Sequence, residues 1–396
     1  MKKIVIASDS FKGSVTSMEV SDCVEISINK IFPDCEVLKI PVADGGEGTT
    51  EALVHTLNGE MIFCLVHDPL MNIINAKYGI LGDSKTAVIE MASASGLPLV
   101  PVEKRNPMNT STYGTGELIK DALIRGCVNF LIGIGGSATN DAGTGMLQAL
   151  GFKFLDKDGK ELGQGGRILD KIHKIDCSQV MPRLEEARFT IACDVNNPFS
   201  GENGAAFVYA RQKGADDGVI RLLDNGLKSF AAIIKKERGI DIDNIPGAGA
   251  AGGLGGGFLA FLTTTLKPGI EMVLDALRFD EQIKDADLII TGEGKLDKQT
   301  SMGKAPYGVL QAAQKQNIPV IAIGGSIEDA EALNDQGFLS VFSIQQGAAT
   351  LEKAMDKKYA MNNIKYSIEQ ILRVIRYYYD NDAKENRRTG IAPPYF

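Results

Sequence analysis

Short apolar runs alternate with amphipathic stretches and glycine-bearing polar loops at both ends of this chain. Ile4–Ala7 reads as a buried strand, and Thr16-Ser17-Met18-Glu19 as a capping box that opens a helix over 17–31. Val37–Val42 is a second strand, followed by a helix over 49–58. The alternation resumes over 285–346, with strands at Leu288–Thr291, Pro319–Ile323 and Ser340–Ile344 and a helix at Tyr307–Gln316. Strands that alternate with helices in this way imply a parallel sheet covered on both faces. The middle differs. Glu60–Val66, Ala76–Leu81 and Thr86–Met91 follow one another with turns at Asp68-Pro69 and Gly82-Asp83, as in an antiparallel meander. A helix over 115–125 and the strand Phe130–Ile134 come next. Near the end, a helix is expected over 362–379, then a charged stretch over 380–388, with Gly390–Phe396 as surface packing.

The pattern implies an α/β protein. A doubly wound, Rossmann-like parallel-sheet domain is formed by both chain ends, 1–65 and 281–396, and a second α/β domain, 66–280, is inserted between them. The active site is expected in the interdomain cleft.

Composition narrows the function. At 396 residues two domains are the better expectation. A net charge of −8 without a basic run argues against nucleic-acid binding. The start has only Ile4–Ala7 as an apolar run before polar residues, too short for a signal peptide, so a cytoplasmic enzyme is expected. Gly247–Leu266 is uncharged and about the length of a membrane span. Seven glycines in its first eleven residues make it a glycine loop plus a buried helix instead. Six scattered cysteines and three lone histidines offer no zinc constellation. Carboxylates, lysines and backbone amides are left for chemistry.

These residue types recur after strands, where ligands bind in open α/β sheets. The loops are Asp9-Ser10-Phe11-Lys12-Gly13-Ser14, Asp44-Gly45-Gly46-Glu47-Gly48-Thr49 and Thr291-Gly292-Glu293-Gly294-Lys295-Leu296-Asp297. Glycine lets backbone N–H groups approach a phosphate, and carboxylates beside it are expected where a metal joins protein and phosphate. The last of the three, with Lys298 and Gly303-Lys304 beyond it, fails the P-loop spacing but still clusters glycines, acids and lysines, with a solvated loop as the other reading. Gly133-Ile134-Gly135-Gly136-Ser137-Ala138-Thr139-Asn140-Asp141 reads as an anion cradle, with a tight packed turn as the other reading. Gly133-x-Gly135-x-x-Ala138 also matches a relaxed dinucleotide fingerprint, with Asp156 ending the next strand. Against that, Asp141 would repel a pyrophosphate that lacks a cation. Asp194, after Ile191–Cys193, could take a proton from a hydroxyl or hold a metal, or with Asn196 simply order a turn. Thr112–Glu117 fits helix capping as well as anion binding, and Glu90 reads as an exposed strand-end acid.

In this order, the motifs resemble the bacterial type I glycerate kinase family. The resemblance runs from residue 2 to about 375, through Glu90–Leu97, Arg105-Asn106-Pro107, Tyr113–Ile119, Cys193–Pro198 and Gly247–Gly255 as well as the loops above. Ser8 and Ala142 depart from the family's usual proline and glycine, and neither change removes a charge. The resemblance implies ATP-dependent phosphorylation of D-glycerate, usually at the 2-hydroxyl, in sugar-acid or glyoxylate catabolism, by a two-domain α/β protein. ATP and Mg²⁺ are the expected cofactors, no nucleic-acid or membrane partner is expected, and a monomer and a homodimer both stay open.

The roles follow from what phosphoryl transfer requires. Lys12 meets a transferring phosphate or the glycerate carboxylate, and Asp194 the substrate hydroxyl. Asp44, Glu293 and Asp297 are candidates for Mg²⁺. Gly133, Gly135, Gly136, Ser137, Gly252, Gly253, Gly255, Gly294 and Lys295 are candidates for ATP, and Asp9, Ser10, Arg105, Asn140 and Asn196 for the substrate. A nicotinamide-dependent hydroxy-acid oxidoreductase and a non-catalytic small-molecule binder remain as alternatives.

Overall fold

The computed structural model describes residues 1–297, 300 and 303–389. Lys298 and the Gly390–Phe396 segment lie outside the described residues. The chain forms two compact units, Met1–Asp44 with Val273–Phe396, and Gly45–Met272.

Strands β1 (Lys3–Ser8) and β2 (Glu36–Lys39) belong to the first unit. Strands β3 (Glu60–His67), β4 (Ile73–Ile80), β5 (Thr86–Glu90), β6 (Asn129–Gly133), β7 (Lys153–Leu155), β8 (Lys174–Asp176), β9 (Arg188–Ala192) and β10 (Thr264–Lys267) belong to the second. Strands β11 (Leu288–Leu296), β12 (Val320–Ile327) and β13 (Ser340–Ser343) return to the first.

The first unit's sheet is parallel throughout, in the order β13-β12-β11-β1-β2. Ile4–Ala7 is fully buried, as expected of a strand covered on both faces. The helix Ser17–Ile31 starts at the capping box read from the sequence: Glu19 N–H donates to Thr16 Oγ1 and Thr16 N–H to Glu19 Oε2. Val20, Val24 and Ile28 join the core that also buries Ile364, Ile368 and Leu372 of the long helix Lys357–Thr389. Full burial of one such side chain contributes about 1.5–3 kcal/mol.

The second unit's main sheet runs β10-β9-β6-β5-β4-β3. Its first four strands are parallel, and β3-β4-β5 form the antiparallel meander. Because β3 pairs with β4, Glu60–His67 belongs here instead of with the N-terminal strands. The units divide at 44/45 and 272/273, where 65/66 and 280/281 were expected. Phe130 and Phe189 stack 4.7 Å apart across the β6–β9 pair. The uncharged stretch becomes a largely buried helix, Ala250–Phe261, entered through left-handed Ala251, Gly252 and Gly253. No helix among the described residues is long and apolar enough to cross a membrane.

Candidate active site

In the second unit, strand register brings three loops to one edge. Parallel pairing sets Glu90 of β5 opposite Gly133 of β6, and Gly133 opposite Ala192 of β9. The loops that continue from Gly133 and Ala192 therefore emerge side by side, and they carry Gly135–Ser137 and Asp194–Asn196. Gly135 and Gly136 are exposed, and Gly136 takes a φ of 73°, which favours glycine. The N–H groups of Gly135, Gly136 and Ser137 donate to no described residue. A run of free amides at a strand's carboxyl end is an anion-binding concavity. Asp194 is exposed, and its Oδ1 accepts the Gly269 N–H at 2.9 Å. Asn196 is exposed beside it.

Glu90 corrects the expectation of a plain exposed acid. It is half-buried, accepts the Thr50 N–H at 2.9 Å, and burial raises its pKa against that hydrogen bond. Asp141 is turned away from solvent. Its carboxylate accepts from Thr112 N–H at 2.8 Å and Thr112 Oγ1 at 2.9 Å, as well as from Gly143 and Gly145 N–H. The Thr112 hydroxyl is thus a structural tie, and Asp141 does not face an anion on the loop. Asn140 is fully buried, with neither side-chain amide atom partnered among the described residues.

Gly252, Gly253 and Gly255 are buried as well. A Cβ on Gly252 would stand 2.1 Å from Thr139 O, one on Gly253 2.9 Å from the Phe199 ring, and one on Gly255 2.3 Å from Gly247 O. Close approach of the protein to itself accounts for these glycines. Arg105 is half-buried, donates from Nε to Val100 O at 3.3 Å, and pairs with no carboxylate among the described residues. Its backbone packs against Gly214, where a Cβ would meet Arg105 O at 2.2 Å.

The residue before that glycine escaped the sequence reading. Lys213 is 2% exposed, and its Nζ lies 2.7 Å from Ser137 Oγ and 2.6 Å from Thr139 O. Burial pulls its pKa down to about 7, against the buried Asp141. Arg211-Gln212-Lys213 reads locally as an ordinary charged helix end, so no signal in the sequence marks it.

The first unit gathers its own set. β1 and β11 pair with Ser8 opposite Gly292, so Asp9, just past the end of β1, comes beside Glu293, which lies within β11. Lys12 reaches back to Asp44, Nζ to Oδ2 2.8 Å. Burial opposes the Lys12 ammonium, but Asp44, with Asp9 and Glu293 behind it, holds its pKa above the ordinary value. Glu293 accepts from Thr300 Oγ1 at 2.7 Å. Lys304 Nζ lies 3.5 Å from Glu293 Oε2 and 3.4 Å from Asp297 Oδ1. The structure thus brings Glu293 and Asp297 together around one cation and pairs Asp44 with Lys12. Lys295 is exposed and tied to Glu328 at 2.9 Å and to Asp297 at 3.5 Å, while Gly294 beside it is half-buried.

No group of three His, Cys, Asp or Glu among the described residues forms a metal cage. Mg²⁺ needs none, because it takes one or two carboxylates and completes its shell with water and phosphate oxygens. The Glu293–Asp297 pair fits that demand: both donors are hard oxygens, and the pair already embraces an ammonium.

Asp9 is 3% exposed and accepts the Ser10 N–H at 2.6 Å. Burial, with Asp44 and Glu293 adding to it and Lys12 opposing, pushes its carboxyl up to about 7. An unfolded aspartate titrates at about 3.9. Between those values the folded protein binds the extra proton, so stability falls as pH rises through that window. Asp9→Asn removes the charge. Without divalent cations its melting temperature is expected to exceed wild type at pH 8, with the gain vanishing near pH 4. A difference that stays constant with pH would trace to packing instead.

The dinucleotide alternative loses its acid. Strand β7, which leads to Asp156, pairs with β8 outside the main sheet. Asp156 turns back on its own loop, accepting from Asp158 and Lys160 N–H at 2.9 Å each.

Residues 4–376 match the glycerate kinase family. A glycerate kinase from Halalkalibacterium halodurans is 50% identical over 358 residues, covering 90% of this chain and 94% of that protein. A glycerate 2-kinase from Escherichia coli K12 is 49% identical over 358 residues, with the same coverage of each. A crystal structure assigned as glycerate kinase 2 from Salmonella typhimurium LT2 superposes with a TM-score of 0.89 at 43% identity. It covers 96% of this chain and 99% of its own.

Proposed function

The chain belongs to the glycerate kinase family and is an enzyme of that kind, and from this premise we propose that it moves the γ-phosphoryl group of ATP to the 2-hydroxyl of D-glycerate. The observation that carries the reading is the edge at β5, β6 and β9, where free amides for an anion stand beside an exposed carboxylate. The 2-hydroxyl is chosen over the 3-hydroxyl because the E. coli relative is a glycerate 2-kinase. The sugar-acid or glyoxylate context and a cytoplasmic place belong to the same proposal.

The amides of Gly135, Gly136 and Ser137 hold the nucleotide phosphates. Arg105, unpaired by any described carboxylate, takes the glycerate carboxylate in a bidentate contact. Asp194 accepts the hydroxyl proton as the oxygen attacks, fixed in place by the Gly269 N–H. Lys12 offsets charge on the transferring group. Glu293 and Asp297, with Asp44 as a further candidate, would hold Mg²⁺, which supplies charge neutralisation at the phosphates. Asn140, Asn196, Asp9 and Ser10 remain proposed substrate contacts, and Gly294 and Lys295 proposed nucleotide contacts.

The test is ADP release across a panel of sugar acids with Mg²⁺ and ATP. Release that depends on D-glycerate supports the reading, and release indifferent to the acid offered would overturn it.

A further inference from the structure

One buried charged group of the second unit, Lys213, has no part in the roles assigned above. Lys213 is buried, yet its ammonium ends on buried Ser137, next to the exposed Gly135 and Gly136. An ionised group out of water is costly unless its hydrogen bonds are satisfied. Lys213 has two partners, Ser137 Oγ and Thr139 O, and the buried Asp141 as counter-charge. Arg105, across Gly214, is the cation on the neighbouring segment.

The hydroxyl of Ser137 responds to the state of this amine. An ammonium can only donate, so Ser137 Oγ must accept from it, and the serine proton is left to point outward beside the free amides. A neutral amine carries a lone pair. With its N–H groups available to Thr139 O, it can accept the serine proton, which then turns inward and leaves oxygen lone pairs toward any anion on the loop.

We propose that Lys213 is the positioning residue of the Gly135–Ser137 loop, and that its ammonium orients the Ser137 hydroxyl to donate to a nucleotide phosphate. The inference rests on the assignment of this loop to ATP. Binding of the anion and protonation of Lys213 are then coupled. The only bond change is one proton taken up at Nζ from solvent, with Ser137 reversing from donor to acceptor toward the lysine. An ionisation of Lys213 near neutrality places the coupling within a working pH range.

The experiment is calorimetric binding of Mg-ADP between pH 6 and 9, in buffers of different ionisation heat, with KM for ATP and for glycerate measured in parallel. Wild type should take up protons on binding above neutrality, and its affinity should fall about 10–100-fold toward pH 9, the range for losing a hydrogen bond to a charged group. Ser137→Ala should bind about tenfold more weakly at pH 6, with most of the pH response gone. Lys213→Arg cannot lose its charge in this range, so its affinity should stay flat. Should the arginine not fit, Ser137→Ala still decides the matter. KM for glycerate should not change in Ser137→Ala.

Equal proton uptake in wild type and Ser137→Ala would overturn the proposal. A loss confined to KM for glycerate would do the same, by giving the loop to a carboxylate. Binding is read without turnover. A failure of the kinase reading would therefore show separately, as absent ADP release with the binding result intact.

Discussion

Lys12→Ala is expected to reduce kcat by about 10²–10³-fold, the usual cost of removing one charge-stabilising donor from a transition state. The melting temperature should barely move. The Lys12 side chain is 55% exposed and its contact with Asp44 is a surface ion pair, a kind that contributes about 0.2–1 kcal/mol at most. Steady-state kinetics beside a thermal melt separates the two roles. Unchanged turnover would remove Lys12 from the chemistry. A lowered melting temperature with a matching loss of activity would make it structural.

Asp194→Asn is expected to slow phosphoryl transfer by about 10²–10⁴-fold, the span of general-base contributions. The substitution keeps an oxygen that can still accept the Gly269 N–H, so the loop should hold its shape. If the carboxylate instead holds the metal, raising Mg²⁺ should partly restore the rate. If it only ties the end of β9 to the helix Gly269–Ala276, turnover should stay within about threefold and the melting temperature should drop, since a lost turn contact acts on stability. That third outcome would remove this strand edge from the reaction.

Much of the architecture was legible because parallel strands write continuous apolar runs and their helices write caps. Ile4–Ala7, the Thr16–Glu19 capping box and the β3-β4-β5 meander all stand where the pattern put them. Strand-end position also flagged the Gly133–Ser137 and Asp194 loops. Unit membership was harder to see. The meander sets Glu60–His67 beside β4, but nothing local to it shows that the whole hairpin, with the helix before it, leaves the unit of the N-terminal strands, and that membership moves the first boundary.

Glu90 and Lys213 were misread or missed for a related reason. Their environment is made by segments distant in sequence: Thr50 for the first, Ser137 and Thr139 for the second. A local reading sees a charged residue and assigns it to the surface. The glycines at 252–255 show the reverse case. A glycine run looks like a ligand loop, but here the backbone of Thr139 and Gly247 and the ring of Phe199 occupy the space that side chains would need.

One measurement bears most directly on the whole account. The protein is mixed with Mg-ATP and D-glycerate, and the products are followed by phosphorus NMR. The expected spectrum shows ADP and 2-phosphoglycerate growing together in equal amounts. A spectrum with 3-phosphoglycerate would contradict the choice of hydroxyl. One with no phosphoglycerate, while ATP persists or yields only inorganic phosphate, would contradict the account itself.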